Sequence, residues 1–132
     1  MMSIAHRKRL TCETLCEILK AIAPYDTGNL AINAIRVIET SPGEFAVAIG
    51  GEIAPYARYT QEKWVNGVNP NEGWINRGIE AALPLIRQIM SGAVTEDDVS
   101  AYMETAGYTK SLRDKQVSRA QHLERKANKL AS

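Results

Sequence analysis

Few residue types in this 132-residue chain could do metal or redox chemistry. Two cysteines, Cys12 and Cys16, lie four residues apart, and the imidazoles are His6 and His122. Zinc sites usually draw on a shorter Cys-x-x-Cys pair, whereas free cysteines on one face of a helix are typical of a packed core. We therefore predict no metal site and no cofactor.

The carboxylates and glycines do not form a catalytic pattern either. Glu13 and Glu17 fit an exposed helix face, and the acids at 96–98 fit a helix N-terminus, where negative charge is favourable. The pair Gly50-Gly51 lacks the Gly-Lys-Ser/Thr continuation of a phosphate-binding loop, and the sequence has no Gly-x-Ser-x-Gly nucleophile motif. We predict that the protein is not an enzyme and has no catalytic residues.

The first half of the chain predicts one helix followed by a β-hairpin. Apolar residues at helical spacing indicate a helix over residues 3–23, which Pro24 ends. Strands are predicted over 32–40 and 45–49 because both segments are rich in β-branched or alternating apolar residues. The Ser-Pro-Gly-Glu turn at 41–44 joins them as an antiparallel hairpin.

The second half is mainly helical. Residues 52–73 are predicted to be irregular, and a helix over 74–90 carries Pro84, at which we expect a kink or a break. A hydroxyl cap and an acid-rich first turn predict a short helix over 95–106, and a similar signature predicts a last helix over 111–130.

These elements predict an α+β fold. A small, mainly antiparallel sheet is packed by the N-terminal helix and the second helix, in a core domain of residues 1–92. Residues 93–132 are predicted to form a helical C-terminal extension, or arm. Its last helix has only a narrow apolar seam, which consists of Val117, Ala120, Leu123, Ala127 and Leu130.

Composition and charge limit the classes of function that this chain can have. Hydrophobic residues make up 45% and charged residues 23%, and no segment is apolar for long enough to predict a membrane helix. The net charge is +1, but residues 108–132 carry seven basic and two acidic residues, a net charge of +5, and residues 1–107 carry −4. The basic helix is a solvated helix surface, a docking strip for an acidic neighbour or, as the alternative function, a DNA-binding element of a small packaging-associated protein.

Two short segments resemble a known family. Residues 23–30 (Ala-Pro-Tyr-Asp-Thr-Gly-Asn-Leu) follow the first helix, and residues 55–59 (Pro-Tyr-Ala-Arg-Tyr) follow the hairpin. Their order and spacing resemble those of the tail-completion or head–tail joining proteins of long-tailed bacteriophages, over about residues 1–90. In that family a helix runs into a Pro-x-Asp-Thr-Gly-x-Leu turn, strands follow, and a later helix packs across the sheet.

The resemblance implies a structural virion protein that forms a ring at the phage neck, completes the tail and joins it to the head or connector. Its partners would be copies of itself in a closed ring, with sixfold symmetry as one option, and neighbouring neck and tail proteins. No membrane is involved, and DNA would at most pass through the lumen. The protein would be located in the tail or neck of the virion, and in the host cytoplasm during assembly.

The candidate site residues are therefore structural. In the turn after the first helix, Asp26 or Thr27 can cap a following helical turn, and Gly28 lets the backbone take a conformation that other residues resist. The aromatic residues of the long loop either cover the core or anchor a subunit contact, where Tyr, Trp and Arg are enriched. The predicted subunit-interface residues are Tyr56, Arg58, Tyr59, Trp64, Arg119, Leu123 and Leu130.

Overall fold

The computed structural model describes residues 2–25, 29–51, 57–63 and 66–131, with backbone alone at residues 29, 58 and 59. These residues form an α+β fold of four α-helices and a two-stranded antiparallel sheet. The helices are α1 (Ile4–Ile22), α2 (Trp74–Ser91), α3 (Glu96–Thr105) and α4 (Tyr108–Ala131), and the strands are β1 (Ile35–Ser41) and β2 (Glu44–Ile49). A π-helical turn, Asn29–Asn33, precedes β1, and a 3-10 helix, Ala57–Gln61, follows β2.

Helix α1 is the central element. Ser3 caps its N-terminus by accepting a hydrogen bond from the amide of His6. Two buried clusters lie on different sides of it. The first includes Cys16 and Leu19 together with Ile35 and Trp74, and the second includes Leu10 and Ile18 together with Leu85, Ile89 and Met103.

The hairpin lies along α1 and presents one apolar face to it. Ile35 pairs with Ile49 and Val37 with Val47, and these four residues pack into the first cluster. At the turn end, the Nζ of Lys8 lies 2.6 Å from a carboxylate oxygen of Glu44. The strand predicted from residue 32 begins at Ile35, because the chain from residue 29 to 33 forms the π-helical turn, in which Leu30 and Ala31 are buried.

Helix α2 runs antiparallel to α1. Its N-terminal Trp74 is 1% exposed and joins the cluster that also holds the hairpin, while most of its length packs against α1. At the other end, the guanidinium of Arg7 donates a hydrogen bond of 3.3 Å to the carbonyl of Met90. The helix is continuous through Pro84, so the predicted break does not occur. Pro84 is exposed, while Ala82 and Leu85 on either side of it are buried and hold the turn in place.

The capping signature predicted for α3 is confirmed. The hydroxyl of Thr95 accepts a hydrogen bond from the amide of Asp98, and the carboxylate of Asp98 accepts one from the amide of Thr95. These bonds lower the pKa of Asp98. Helix α3 contributes Val99 and Met103 to the second cluster, so this part of residues 93–132 packs against α1 and α2.

Helix α4 begins at Tyr108, three residues earlier than predicted. Ser111 does not cap it, because Ser111 lies inside the helix and its amide donates to the carbonyl of Gly107. The Ser111 hydroxyl donates to the carbonyl of Ala21 at 3.3 Å. The carboxylate of Asp114, predicted to mark the first turn, pairs with Lys110 at 2.7 Å. The predicted boundary between residues 92 and 93 stays a prediction.

The close approach of α1 and α2 at Gly78 generates a first prediction. A Cβ atom at residue 78 would lie 2.6 Å from Cδ2 of Leu19 and 2.8 Å from Cδ1 of Ile22. Overpacking of a core costs about 1–3 kcal/mol, whereas glycine to alanine in a helix gains at most about 1 kcal/mol. We expect Gly78→Ala to lower the free energy of unfolding measured by urea titration.

The control for this variant is Glu80→Ala, an exposed substitution on the same helix. It should leave the free energy of unfolding within about 0.5 kcal/mol of the wild type. A rise in stability for Gly78→Ala would show that the α1–α2 contact is looser than described.

Candidate interaction surface

A half-buried lysine of α4 contacts the C-terminal end of α1. The Nζ atom of Lys115 donates to three backbone carbonyl oxygens: those of Lys20 at 2.8 Å, Ala21 at 2.6 Å and Ala23 at 2.8 Å. The last carbonyls of a helix lack backbone partners and carry the negative end of the helix dipole. A cation from another helix therefore caps α1.

Pro24 explains why α1 needs such a partner. In a continuing helix, the carbonyl of Lys20 would accept from the amide of residue 24, but proline has no amide hydrogen. The amide of Ala23 still pairs with the carbonyl of Leu19, so Lys20 is the first carbonyl left without a backbone donor. Lys115 supplies that donor from a position 95 residues away in sequence.

Two effects oppose each other at this ammonium group. The three carbonyl oxygens favour the charged form, while burial favours the neutral amine. Burial lowers the pKa of Lys115 from 10.5 to about 8, so the side chain remains mainly charged at neutral pH. The group is held in place by hydrogen bonds and is easier to deprotonate than an exposed lysine.

Beyond this anchor, α4 continues to Ala131 with mainly exposed side chains. We call residues 120–131 the α4 tip, and within it only His122 is half-buried. The apolar seam predicted along α4 is largely open to solvent, with Val117 51%, Leu123 47% and Leu130 82% exposed. No residue of α4 is buried. The described chain thus presents an anchored, projecting helix with an uncovered apolar seam.

A groove of about 570 Å³ lies between α1, α3 and the first half of α4. Leu10, Val99 and Met103 are buried along it. Its rim is mainly acidic, because it is lined by four glutamates and one arginine, Arg113. The glutamates are Glu13, Glu17, Glu96 and Glu104. We call this the acidic groove.

Two of the four glutamates already have partners within the chain. Glu13 pairs with Arg9 at 2.9 Å, and Glu96 with the ring of His6. Partial desolvation raises the pKa of Glu17, and repulsion from Glu13 raises it further, although Lys20 opposes the shift. The other two glutamates, Glu17 and Glu104, share the lining with Arg113, so the groove keeps a small excess of negative charge and favours a cationic ligand.

The loop before α2 is held by a buried polar network that the sequence did not predict. The side-chain amide of Asn69 donates to the carbonyls of Thr60 and Glu62, at 2.9 and 2.8 Å. The indole of Trp74 donates to the Thr60 hydroxyl at 2.8 Å. Trp74 therefore has a core role.

The structure describes only some of the predicted site residues. Five of them lie outside the described residues: Asp26, Thr27, Gly28, Tyr56 and Trp64. Arg58 and Tyr59 belong to the 3-10 helix, and their side chains are also outside the description. Arg119 is half-buried, while Leu123 and Leu130 lie on the exposed seam. Their roles at a subunit interface stay predictions.

The cysteines and carboxylates do not converge on a metal site. Among the residues the structure describes, no three His, Cys, Asp or Glu side chains come together in a group that could hold a metal ion. Cys16 is buried in the first cluster, and burial raises the pKa of its thiol and of the Cys12 thiol. Within the same described part, none of the helices is both long and apolar enough to cross a membrane.

Comparisons with protein families, curated proteins and solved structures find no match to this chain.

The lysine cap generates a second prediction. We expect Lys115→Met to lower the free energy of unfolding by about 2 kcal/mol, the scale of hydrogen bonds to a charged group. The matched control is Lys110→Met, which removes an exposed pair with Asp114 on the same helix and should cost at most about 0.5 kcal/mol. Urea unfolding followed by circular dichroism measures both, and equal effects would contradict the capping role of Lys115.

A third prediction concerns pH. The folded chain releases the Lys115 proton near pH 8 and the unfolded chain near 10.5, so between these values the unfolded state binds more protons. The Lys115 contribution to the free energy of unfolding should therefore rise with pH across this window. The measured quantity is the wild-type free energy of unfolding minus that of Lys115→Met, because the subtraction cancels other titrating groups. If this difference instead fell between pH 8 and 10.5, the carbonyl oxygens would stabilise the charged ammonium group more than burial destabilises it.

Proposed function

We propose that this protein is a structural subunit of a ring at the neck of a long-tailed phage, where it completes the tail and joins it to the head or connector. The observation that carries the proposal is the α4 tip. It continues a helix that is anchored through Lys115, and its apolar seam is exposed in the described chain, with Leu130 82% exposed. Such a seam is stabilised when it is buried against a second surface.

The order of elements supports the same proposal. The resemblance carried by residues 23–30 and 55–59 implies a helix, a turn, a hairpin, a loop and a closing helix. The described chain has α1, the hairpin, a 3-10 helix and α2 in that order. This agreement concerns the fold, and the neck location rests on the sequence resemblance.

The geometry also fits a contact between two different patches. The tip and the acidic groove lie on separate parts of the chain, so a contact between them would be heterologous. Heterologous contacts generate rings when the rotation between subunits closes. The proposal thus requires copies of this chain and neighbouring neck and tail proteins as partners, and it requires no reacting group.

DNA binding is the second candidate function. The specific observation in its favour is that Arg125 and Lys126 are exposed on the projecting tip. Phosphate contacts use basic side chains, and the binding they give weakens steeply with salt. This alternative does not account for the exposed seam, because Leu123 and Leu130 have no role in contacts with a phosphate backbone.

A fourth prediction tests assembly through the seam. We expect the wild-type chain to form closed rings in solution, seen by native mass spectrometry and by imaging with symmetry analysis. The double variant Leu123→Ala/Leu130→Ala should remain folded but fail to assemble, because it loses the exposed apolar contacts. The control is Gln121→Ala/Asn128→Ala, which changes the opposite face of the same tip and should still form rings.

The same samples separate the two candidate functions. A chain ending at Ala120 keeps Lys115 and therefore keeps the cap on α1. If the wild type remains monomeric and instead binds duplex DNA in a salt-dependent way that this shorter chain loses, the ring proposal is wrong. Immunogold labelling of phage particles made by the encoding genome then tests location, with label expected at the junction of head and tail.

A further inference from the structure

We infer that the acidic groove receives the α4 tip of a second copy of this chain. The inference rests on the proposed function, because it identifies where the arm of one subunit sits on the next. It depends on three observations: the tip cannot reach the groove of its own chain, the two surfaces are opposite in charge, and two tips carry like charges.

The groove and tip of one chain cannot meet. Thr109, Leu112 and Gln116 of α4 line the groove, so the first half of α4 forms one of its walls. The helix then continues from Gln116 to Ala131 without interruption. At 1.5 Å per residue, this places the end of the tip roughly 22 Å beyond the groove. Only another copy can present its tip there while α4 remains helical.

The tip has an apolar seam with a cation beside it. Lys126 lies three residues after Leu123 and four before Leu130, so these three side chains share one face of the helix. Arg125 lies two residues after Leu123, which places it on the opposite side. A partner that covers the seam therefore meets Lys126 and does not meet Arg125.

The acidic groove has the complementary arrangement. Its buried floor includes Leu10, Val99 and Met103, and acids line its rim. A volume of about 570 Å³ admits a few side chains from one face of a helix rather than a whole helix. With the seam turned toward the groove, Lys126 would lie near Glu17 or Glu104. Burial, and then repulsion from Glu13, raise the pKa of Glu17, and a cation at this position would favour the charged carboxylate.

Self-pairing of two tips is the competing arrangement, and charge disfavours it. Residues 120–131 contain three basic residues and one acid, Glu124, so two tips side by side would place like charges together. The acidic groove offers the opposite charge. Electrostatic complementarity of this kind sets the orientation and the partner of an interface.

Charge reversal of full-length chains tests the inference. Lys126→Glu on the tip and Glu104→Lys on the groove should each weaken self-association at least tenfold by sedimentation analysis. Their matched controls, Arg125→Glu on the far side of the tip and Glu80→Lys on α2, make the same charge changes and should leave self-association unchanged. The double variant Lys126→Glu/Glu104→Lys should regain association, because the reversed charges again attract each other.

Each other outcome contradicts a different statement. If rings form and Glu104→Lys has no effect, the tip sits elsewhere and the inference is wrong while the ring proposal stands. If Lys126→Glu and Arg125→Glu weaken association equally, then association depends on net charge and not on a defined binding site, and the inference is again wrong. A wild type that stays monomeric up to millimolar concentration would overturn both.

Discussion

The structure depends on one contact, the ammonium group of Lys115 against the carbonyl end of α1. Helix α1 ends at a proline, so its last carbonyls cannot all be paired by the chain that follows. Lys115 pairs with three carbonyl oxygens of residues 20–23 and is partly buried in doing so. Because the contact joins the first half of α4 to the most central helix, it also sets the direction in which the rest of α4 projects.

Most of the remaining stability comes from packing around α1. A two-stranded hairpin is marginal by itself, and here it is stabilised because Ile35 and Ile49 pack against α1 and Trp74. On the other side, α2 and α3 close a second cluster around Ile18. The four helices are thereby arranged so that α1, α3 and α4 leave the acidic groove between them. The groove thus follows from this packing together with the Lys115 contact, which places the first half of α4 as one of its walls.

Most of the helices and the hairpin could be predicted from local signals in the sequence. Apolar periodicity located α1 and α2, and the Thr95–Asp98 capping box located the start of α3, because these signals act within a few residues. Two local predictions were wrong at least in part. Pro84 does not break α2, while a kink there stays a prediction. Ser111 does not cap α4, because the helix already begins at Tyr108 and the Ser111 amide donates to the carbonyl of Gly107.

The candidate surface was only partly predictable. The narrow seam of α4 could be found from spacing, and the structure leaves it exposed. Lys115, the partner of the α1 carbonyls, could not be found from the sequence, because it lies more than 90 residues away from them. The one available signal was Pro24, which follows an otherwise regular helix. The acidic groove combines residues of three helices, and their convergence follows from tertiary packing. The turn at residues 26–28 and the aromatic residues Tyr56 and Trp64 lie outside the described part of the chain, so their roles remain predictions.

The central claim is that this protein works through contact between its projecting helix and another copy of itself. Hydrogen–deuterium exchange tests it most directly, by comparing the isolated chain with the assembled particle. The account predicts that amides of residues 120–131 and of α3 around Glu104 become protected together on assembly. If the tip exchanges as fast in the particle as in the isolated chain, the account is contradicted.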